Sequence, residues 1–317
     1  MSGFFYMKKN NKIKILIADK ISLDSIYKFF PRSEYQLDLK FGITNEEIVS
    51  DYKDHDVLII RSVRKINKEF IRQTEFKIIA TCSRGHENID SEYAAEKGIV
   101  IFNTDKGNSI AAAEHTIGMI ISLYKNFELS KELIVENKFT FNNFQRNELN
   151  VKIIGIIGFG NIGSMVAKIS KAFGMKVLVN DISKSVIEKN KKHYNFVTLK
   201  NLLSKSDIVT LHIPGDSSNE NFVSEKEFSI MKKNTIIVNT SRGNVIKEND
   251  LIKYLQNKNI RGAAIDVFKN EPVINKKYLK LHNVLLTNHI AGKTEESAVK
   301  MAHEIYKKVS TYFTNKK

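Results

Sequence analysis

The chain has 317 residues, enough for two domains that each bury a core, and its 42% hydrophobic and 27% charged residues with only three prolines exclude extensive disorder. No apolar run approaches the ~18 residues that cross a bilayer, and residues 1–7 (MSGFFYM) are too short and too uncharged for a secretory leader, so a cytoplasmic location is expected. The net charge of +15 comes from lysines scattered among asparagines and isoleucines, without the aromatic interleaving of a nucleic-acid groove, and the single cysteine, Cys82, rules out an intrachain disulfide or a cysteine-based zinc site.

Short β-branched runs alternate with helical stretches, the pattern of βαβ units and parallel sheets. In the first third these runs are 12–19 (KIKILIAD), 57–62 (VLIIRS), 76–83 (FKIIATCS) and 98–104 (GIVIFNT). A turn at 105–109 then leads into a helix predicted from Ile110 to about Asn126, a crossing between domains. Residues 127–150 show no clear period and read as an extended arm or loop, in which Phe139, Phe141 and Phe144 suit either a partner subunit or the chain's own core. A second series of strands follows at 152–158, 176–181, 207–214, 235–241, 262–268 and 284–290, six in all, implying a doubly wound sheet. Thr294 caps a final amphipathic helix to about Phe313.

The strand at 152–158 runs into Gly158, Phe159, Gly160, Asn161, Ile162 and Gly163 and then a helix over 164–173. In this spacing the first glycine permits a tight turn, the second lets backbone approach a pyrophosphate, and the third lets helix and strand pack closely. Amides at the helix N-terminus hold the diphosphate. The next strand ends in Asp181, an acid placed to accept from a ribose 2′-hydroxyl and to repel a 2′-phosphate, so NAD is favoured over NADP.

Ligands of doubly wound sheets lie beyond the carboxyl ends of the strands. Arg242 ends one strand, Asp266 lies near the end of the next with Glu271 beyond it, and His289 lies near the end of the last. Reduction of a 2-keto acid by a nicotinamide needs a proton donor, a fixed positive charge for the carbonyl and carboxylate, and a group that tunes the donor. His289, Arg242 and Glu271 supply these three needs, since a carboxylate beside an imidazole favours its charged form.

Residues 238–243 (VNTSRG) with Glu248 and Leu251, then 264–268 (AIDVF) with Glu271 and Pro272, then 288–292 (NHIAG), resemble the signature of the D-isomer-specific 2-hydroxyacid dehydrogenases over nearly the whole chain. The resemblance implies an α/β protein of two doubly wound, Rossmann-like parallel-sheet domains with a cleft between them. The substrate domain would take 1–106 and 292–317, and the NAD domain 107–291. It further implies Arg242 as substrate binder, His289 as acid/base with Glu271 as its partner, cofactor contacts from Asn161, Ile162, Asp181, Thr240, Ser241 and Asp266, no metal, and a homodimer.

Three stretches resemble the 3-phosphoglycerate dehydrogenase branch of serine biosynthesis: 60–62 (IRS), 87–90 (ENID), and 107–110 (GNSI) followed by 112–115 (AAEH). The substrate residues expected on this basis are Arg61, Ser62, Ser83, Arg84, Gly85 and Asn108. Arg61 and Arg84 both end strands, and two guanidinium groups suit a substrate with a phosphate as well as a carboxylate. The family's small-residue loop commonly reads glycine, apolar, glycine, whereas here it is Ser83, Arg84, Gly85. Asp105 and Asn288 stand where prolines are frequent, which is expected to loosen the hinge and the catalytic turn. No regulatory small-ligand domain is expected after the final helix. Reduction of glyoxylate or hydroxypyruvate is the enzymatic alternative, and an NAD-sensing, co-repressor-like interaction protein the non-enzymatic one.

Overall fold

The computed structural model describes residues 12–21, 23–61, 63–83, 85–139 and 146–315. Ser62, Arg84, Phe141 and Phe144 lie outside the described residues. The chain divides into two compact units, the first taking the chain through Asn108 and again from Thr294, the second Ser109–Lys293.

The first unit runs β1 (Ile13–Ile17), α1 (Leu23–Phe29), β2 (Tyr35–Leu39), α2 (Asn45–Asp51), β3 (Val57–Ile60), α3 (Lys68–Arg72), β4 (Ile78–Thr81), α4 (Ser91–Glu96) and β5 (Val100–Phe102). Its five strands are all parallel, in the order β2-β1-β3-β4-β5. The central strands β3 and β4 are buried at every position, as strands covered on both faces must be, which is why they read as continuous apolar runs. The edge strand β2 (YQLDL) alternates apolar and polar residues and lacks the β-branched run that marks most of the other strands in the sequence.

The second unit begins with α5 (Ser109–Lys125) and α6 (Phe127–Val135), then β6 (Ile153–Ile157), α7 (Asn161–Ala172), β7 (Lys176–Asn180), α8 (Lys184–Asn190), β8 (Asn195–Phe196), α9 (Leu199–Lys205), β9 (Ile208–Leu211), α10 (Glu225–Ile230), β10 (Ile236–Asn239), α11 (Glu248–Gln256), β11 (Gly262–Ile265) and β12 (Val284–Leu286). Seven parallel strands, one more than expected, lie in the order β12-β11-β10-β9-β6-β7-β8. The extra strand, β8, has only two residues. The chain starts at β6, moves outward through β7 and β8, and returns to β9 on the other side of β6, so the topological switch falls between β6 and β9.

The arm expected at 127–150 is corrected over its first part, which is the helix α6. Asn126, at φ 53°, ends α5 and turns the chain into it. None of the α6 residues is buried, so no apolar stripe marked the helix in the sequence.

The last helix, α12 (Glu295–Thr314), returns to the first unit with Thr294 as its N-cap. Ile305 and Val309 are buried there, and His303 stacks on Phe29 with ring centroids 4.6 Å apart. Asp105 is held rather than loosened. Its amide donates to Glu304 Oε1 at 2.7 Å, a bond that proline lacks the N–H to make, and its carboxylate accepts from Lys308 Nζ at 3.0 Å. Among the described residues no helix is long and apolar enough to cross a membrane.

Candidate active site

The glycine turn occupies the switch point. Gly158 follows β6 at φ +88°, and a Cβ there would lie 2.5 Å from the carbonyl oxygen of His212, just past β9. In the first turn of α7, a Cβ on Gly163 would lie 2.0 Å from the Gly158 carbonyl oxygen, so helix and turn approach as only glycine allows. Gly160 is the N-cap of α7 and, as glycine, brings no side chain of its own to cap the helix, which suits a diphosphate. Asn161 and Ile162 occupy the first two helical positions.

Asp181, directly after β7, accepts from the Phe159 amide through Oδ2 at 2.6 Å and from the Ser183 amide through Oδ1 at 2.8 Å. The acid is thereby tied to the glycine turn, and each oxygen keeps a lone pair for a ribose hydroxyl. A helix N-terminus capped by glycine, glycines that admit no side chain and a fixed acid together fit NAD.

The loop after β10 is shaped by Asn239, a residue that went unassigned in the sequence although it sits inside the motif there. Its Oδ1 accepts from the Ser241 amide at 3.0 Å and the Ser241 hydroxyl at 2.8 Å, while its Nδ2 donates to the Arg242 carbonyl at 2.8 Å. Thr116 Oγ1 donates to the Ala112 carbonyl at 2.7 Å, so the Thr240 hydroxyl, 2.8 Å away, must donate to Thr116. Thr240 and Ser241 therefore turn their hydroxyl protons into the protein. Arg242 stands next on extended backbone and donates from Nη1 to the Ser241 carbonyl at 2.8 Å. Gly215 lies against it: a Cβ there would be 2.6 Å from Arg242 Cγ.

Because the strands are parallel, the residues following β6, β10, β11 and β12 share one edge of the sheet. His289 lies three residues beyond β12, and its Nδ1 is 2.7 Å from Glu271 Oε2. Glu271 Oε1 accepts from the Phe268 amide at 2.9 Å. Burial pushes the Glu271 carboxyl up, but the bonds from His289 and Phe268 outweigh it and hold it below the usual range. The carboxylate is thus ionised and accepts the proton of Nδ1, which leaves Nε2 for chemistry. The His289 side chain is 40% exposed, open to a solute.

Asp266, expected among the cofactor contacts, is fully buried. Its carboxylate accepts from Thr287 Oγ1 at 2.6 Å, the Ile290 amide at 2.9 Å and the Ala291 amide at 3.0 Å, and its carbonyl accepts from the His289 amide at 2.7 Å. Burial pushes this carboxyl up, yet the donors around it, His115 among them, hold it well below the ordinary carboxylate range. Its bonds go to the turn that carries His289.

In the first unit, Arg61 directly follows β3, and its amide donates to Asp19 Oδ2 at 2.8 Å. Asp19 Oδ1 is taken by Arg64, through Nη2 at 2.7 Å and Nε at 3.0 Å. Arg64 also donates to Asn45 and to the carbonyls of Ala18 and Ile43. Neither Asp19 nor Arg64 was visible as a partner in the sequence, since 45 positions separate them. Among the described residues the Arg61 guanidinium has no acid partner. Ser83 donates its hydroxyl to the Gly85 carbonyl at 2.6 Å and accepts from Thr81 at 2.7 Å. Asn108 Oδ1 is buried without a hydrogen-bond partner among the described residues. Burial pushes the Cys82 thiol up to about 12, which makes it a poor nucleophile.

Residues 117–291 match the family model described as the NAD binding domain of D-isomer specific 2-hydroxyacid dehydrogenase. A D-3-phosphoglycerate dehydrogenase of Synechocystis sp. is 33% identical over 297 residues, 93% of this chain and 53% of the relative. The chain spans about half the length of the curated relatives it matches. Among solved structures, an acyclic imino acid reductase in complex with NADPH and D-Arg superposes with a TM-score of 0.86 at 29% identity, covering 95% of this chain and 97% of the other. A D-lactate dehydrogenase from Aquifex aeolicus complexed with NAD and lactic acid gives 0.82 at 26%, covering 95% and 96%.

Proposed function

The chain belongs to the D-isomer specific 2-hydroxyacid dehydrogenase family, and from that premise we propose that it catalyses NAD-dependent interconversion of a D-2-hydroxy acid and its 2-keto acid, with 3-phosphoglycerate and 3-phosphohydroxypyruvate as the pair. The observation that carries the proposal is the His289–Glu271 contact of 2.7 Å on the sheet edge that also bears Arg242 and the glycine turn. Gly158, Gly160, Asn161, Ile162, Gly163 and Asp181, with backbone at Thr240 and Ser241, would hold NAD, which when bound would supply or accept the hydride. His289 gives a proton from Nε2 to the substrate oxygen in reduction and takes it back in oxidation, while Glu271 holds the ring by Nδ1. Arg242 offers the fixed positive charge for the substrate carboxylate. Asp266, the remaining expected cofactor residue, also holds the turn that carries His289.

The phosphate is assigned to Arg61, with Ser62, Ser83, Arg84, Gly85 and Asn108 completing the substrate residues. Asp19 is engaged by the Arg61 amide and by Arg64, so the Arg61 guanidinium keeps its charge for an anion. The name of the Synechocystis relative supports the same substrate. Arg61→Ala is expected to lower kcat/KM for 3-phosphohydroxypyruvate by about 10- to 150-fold, equivalent to the ~1.5–3 kcal/mol of hydrogen bonds to a charged group, and to leave glyoxylate, which has no phosphate, nearly unchanged. Equal losses on both substrates would show that Arg61 binds the common carboxylate and would withdraw the phosphate assignment.

The protein is further proposed to be a homodimer. Helix α6 buries none of its residues and leaves Phe127, Ile134 and Val135 exposed, followed by exposed Phe139.

A further inference from the structure

We propose that His115, on α5, is a positioning residue for the reaction: it donates the first hydrogen bond of a chain that fixes the turn carrying His289. The inference rests on the reading of His289 as the acid/base. His115 Nε2 lies 3.2 Å from Thr287 Oγ1 and 3.6 Å from Asp266 Oδ1. Thr287 Oγ1 is 2.6 Å from Asp266 Oδ1 and 3.9 Å from Met119 Sδ. A hydroxyl has one proton, and the ionised carboxylate at the shorter distance takes it in preference to the thioether. The Thr287 oxygen is therefore the acceptor towards His115, and the His115 tautomer is fixed with its proton on Nε2. The chain reads His115 Nε2–H to Thr287 Oγ1–H to Asp266.

What this chain holds is the backbone of the acid/base. Asp266 accepts from the amides of His289, Ile290 and Ala291, and His289 sits at φ 56°, a left-handed conformation that a non-glycine residue keeps only when its surroundings impose it. Thr287 and Asp266 form the grip, and His115 is the donor that orients the Thr287 hydroxyl towards the carboxylate. Without that donor the Thr287 oxygen loses its second partner, and Asp266 loses a polar neighbour in a buried site.

The test uses His115→Ala and His115→Gln, the second keeping an N–H near the position of Nε2, alongside His289→Ala. Hydrogen exchange of the amides over residues 289–291 is followed in the substrate-free protein, with kcat and the KM for NADH measured separately. Exchange in His115→Ala is expected to accelerate about tenfold, and kcat to fall about 10- to 100-fold, as for a misplaced reacting group, with KM for NADH within about twofold of the parent. His115→Gln is expected to restore most of both. Exchange unchanged in His115→Ala, or His115→Gln as impaired as His115→Ala, overturns the inference. Normal turnover by His289→Ala would instead overturn the acid/base reading beneath it, so the two failures are read apart.

Discussion

In the proposed reaction His289 and Glu271 divide one task between two side chains. The glutamate is ionised because bonds from His289 and the Phe268 amide outweigh its burial, and it can therefore hold Nδ1 while Nε2 works. His289→Ala is expected to cost about 10²–10⁴ in kcat, the usual worth of a general acid, with NADH affinity little changed. Glu271→Gln keeps the shape and removes the charge, so its pH–rate profile should move relative to the parent; superimposable profiles would dissolve the pair. Asp266 is a different case, since its carboxyl is depressed by internal donors, among them amides of the turn carrying His289. Its contribution to stability is fully present above the unfolded value of about 3.9 and is lost as the pH falls towards the lower folded value. Asp266→Asn is expected to cost about 2 kcal/mol at pH 7, the scale of leaving buried donors without their acceptor. Chemical denaturation at pH 7 and pH 3 should show that difference shrinking in acid; a difference that grows would contradict the assignment.

At the scale of elements, the sequence was most legible where burial is two-sided. β3, β4, β9, β10 and β11 are buried at every position and stood out as apolar runs. β2 and β8 did not, the first because an edge strand carries Gln36 and Asp38, the second because two residues make no pattern. The glycine turn, Asp181, Arg242, Glu271 and His289 were legible because each is tied to a strand end. Asp19, Arg64, Asn239 and His115 were not, because their roles consist of partners distant in sequence or bonds to backbone. Helix α6 escaped for a related reason: none of its residues is fully buried. Its exposed Phe127, Ile134 and Val135 predict self-association. Sedimentation of the parent should give a dimer, and replacing these three with serine should give a monomer; a monomeric parent would remove the dimer from the account.

For the whole molecule, two all-parallel sheets set strand ends at defined edges, and the proposed chemistry draws on the residues just past those ends. Family membership follows from the match over residues 117–291, while the proposed phosphate contact lies in the first unit. The solved relative in complex with NADPH makes the coenzyme worth measuring in the same experiment, because Asp181 is expected to disfavour a 2′-phosphate. The most direct measurement is the loss of NADH absorbance when the purified protein meets 3-phosphohydroxypyruvate, hydroxypyruvate or glyoxylate, repeated with NADPH. Turnover with NADH, fastest in kcat/KM with 3-phosphohydroxypyruvate and weaker with NADPH, is the predicted result. Tight NADH binding with no turnover of any of the three 2-keto acids would contradict the enzymatic account and favour a protein that senses the nucleotide without transforming a substrate.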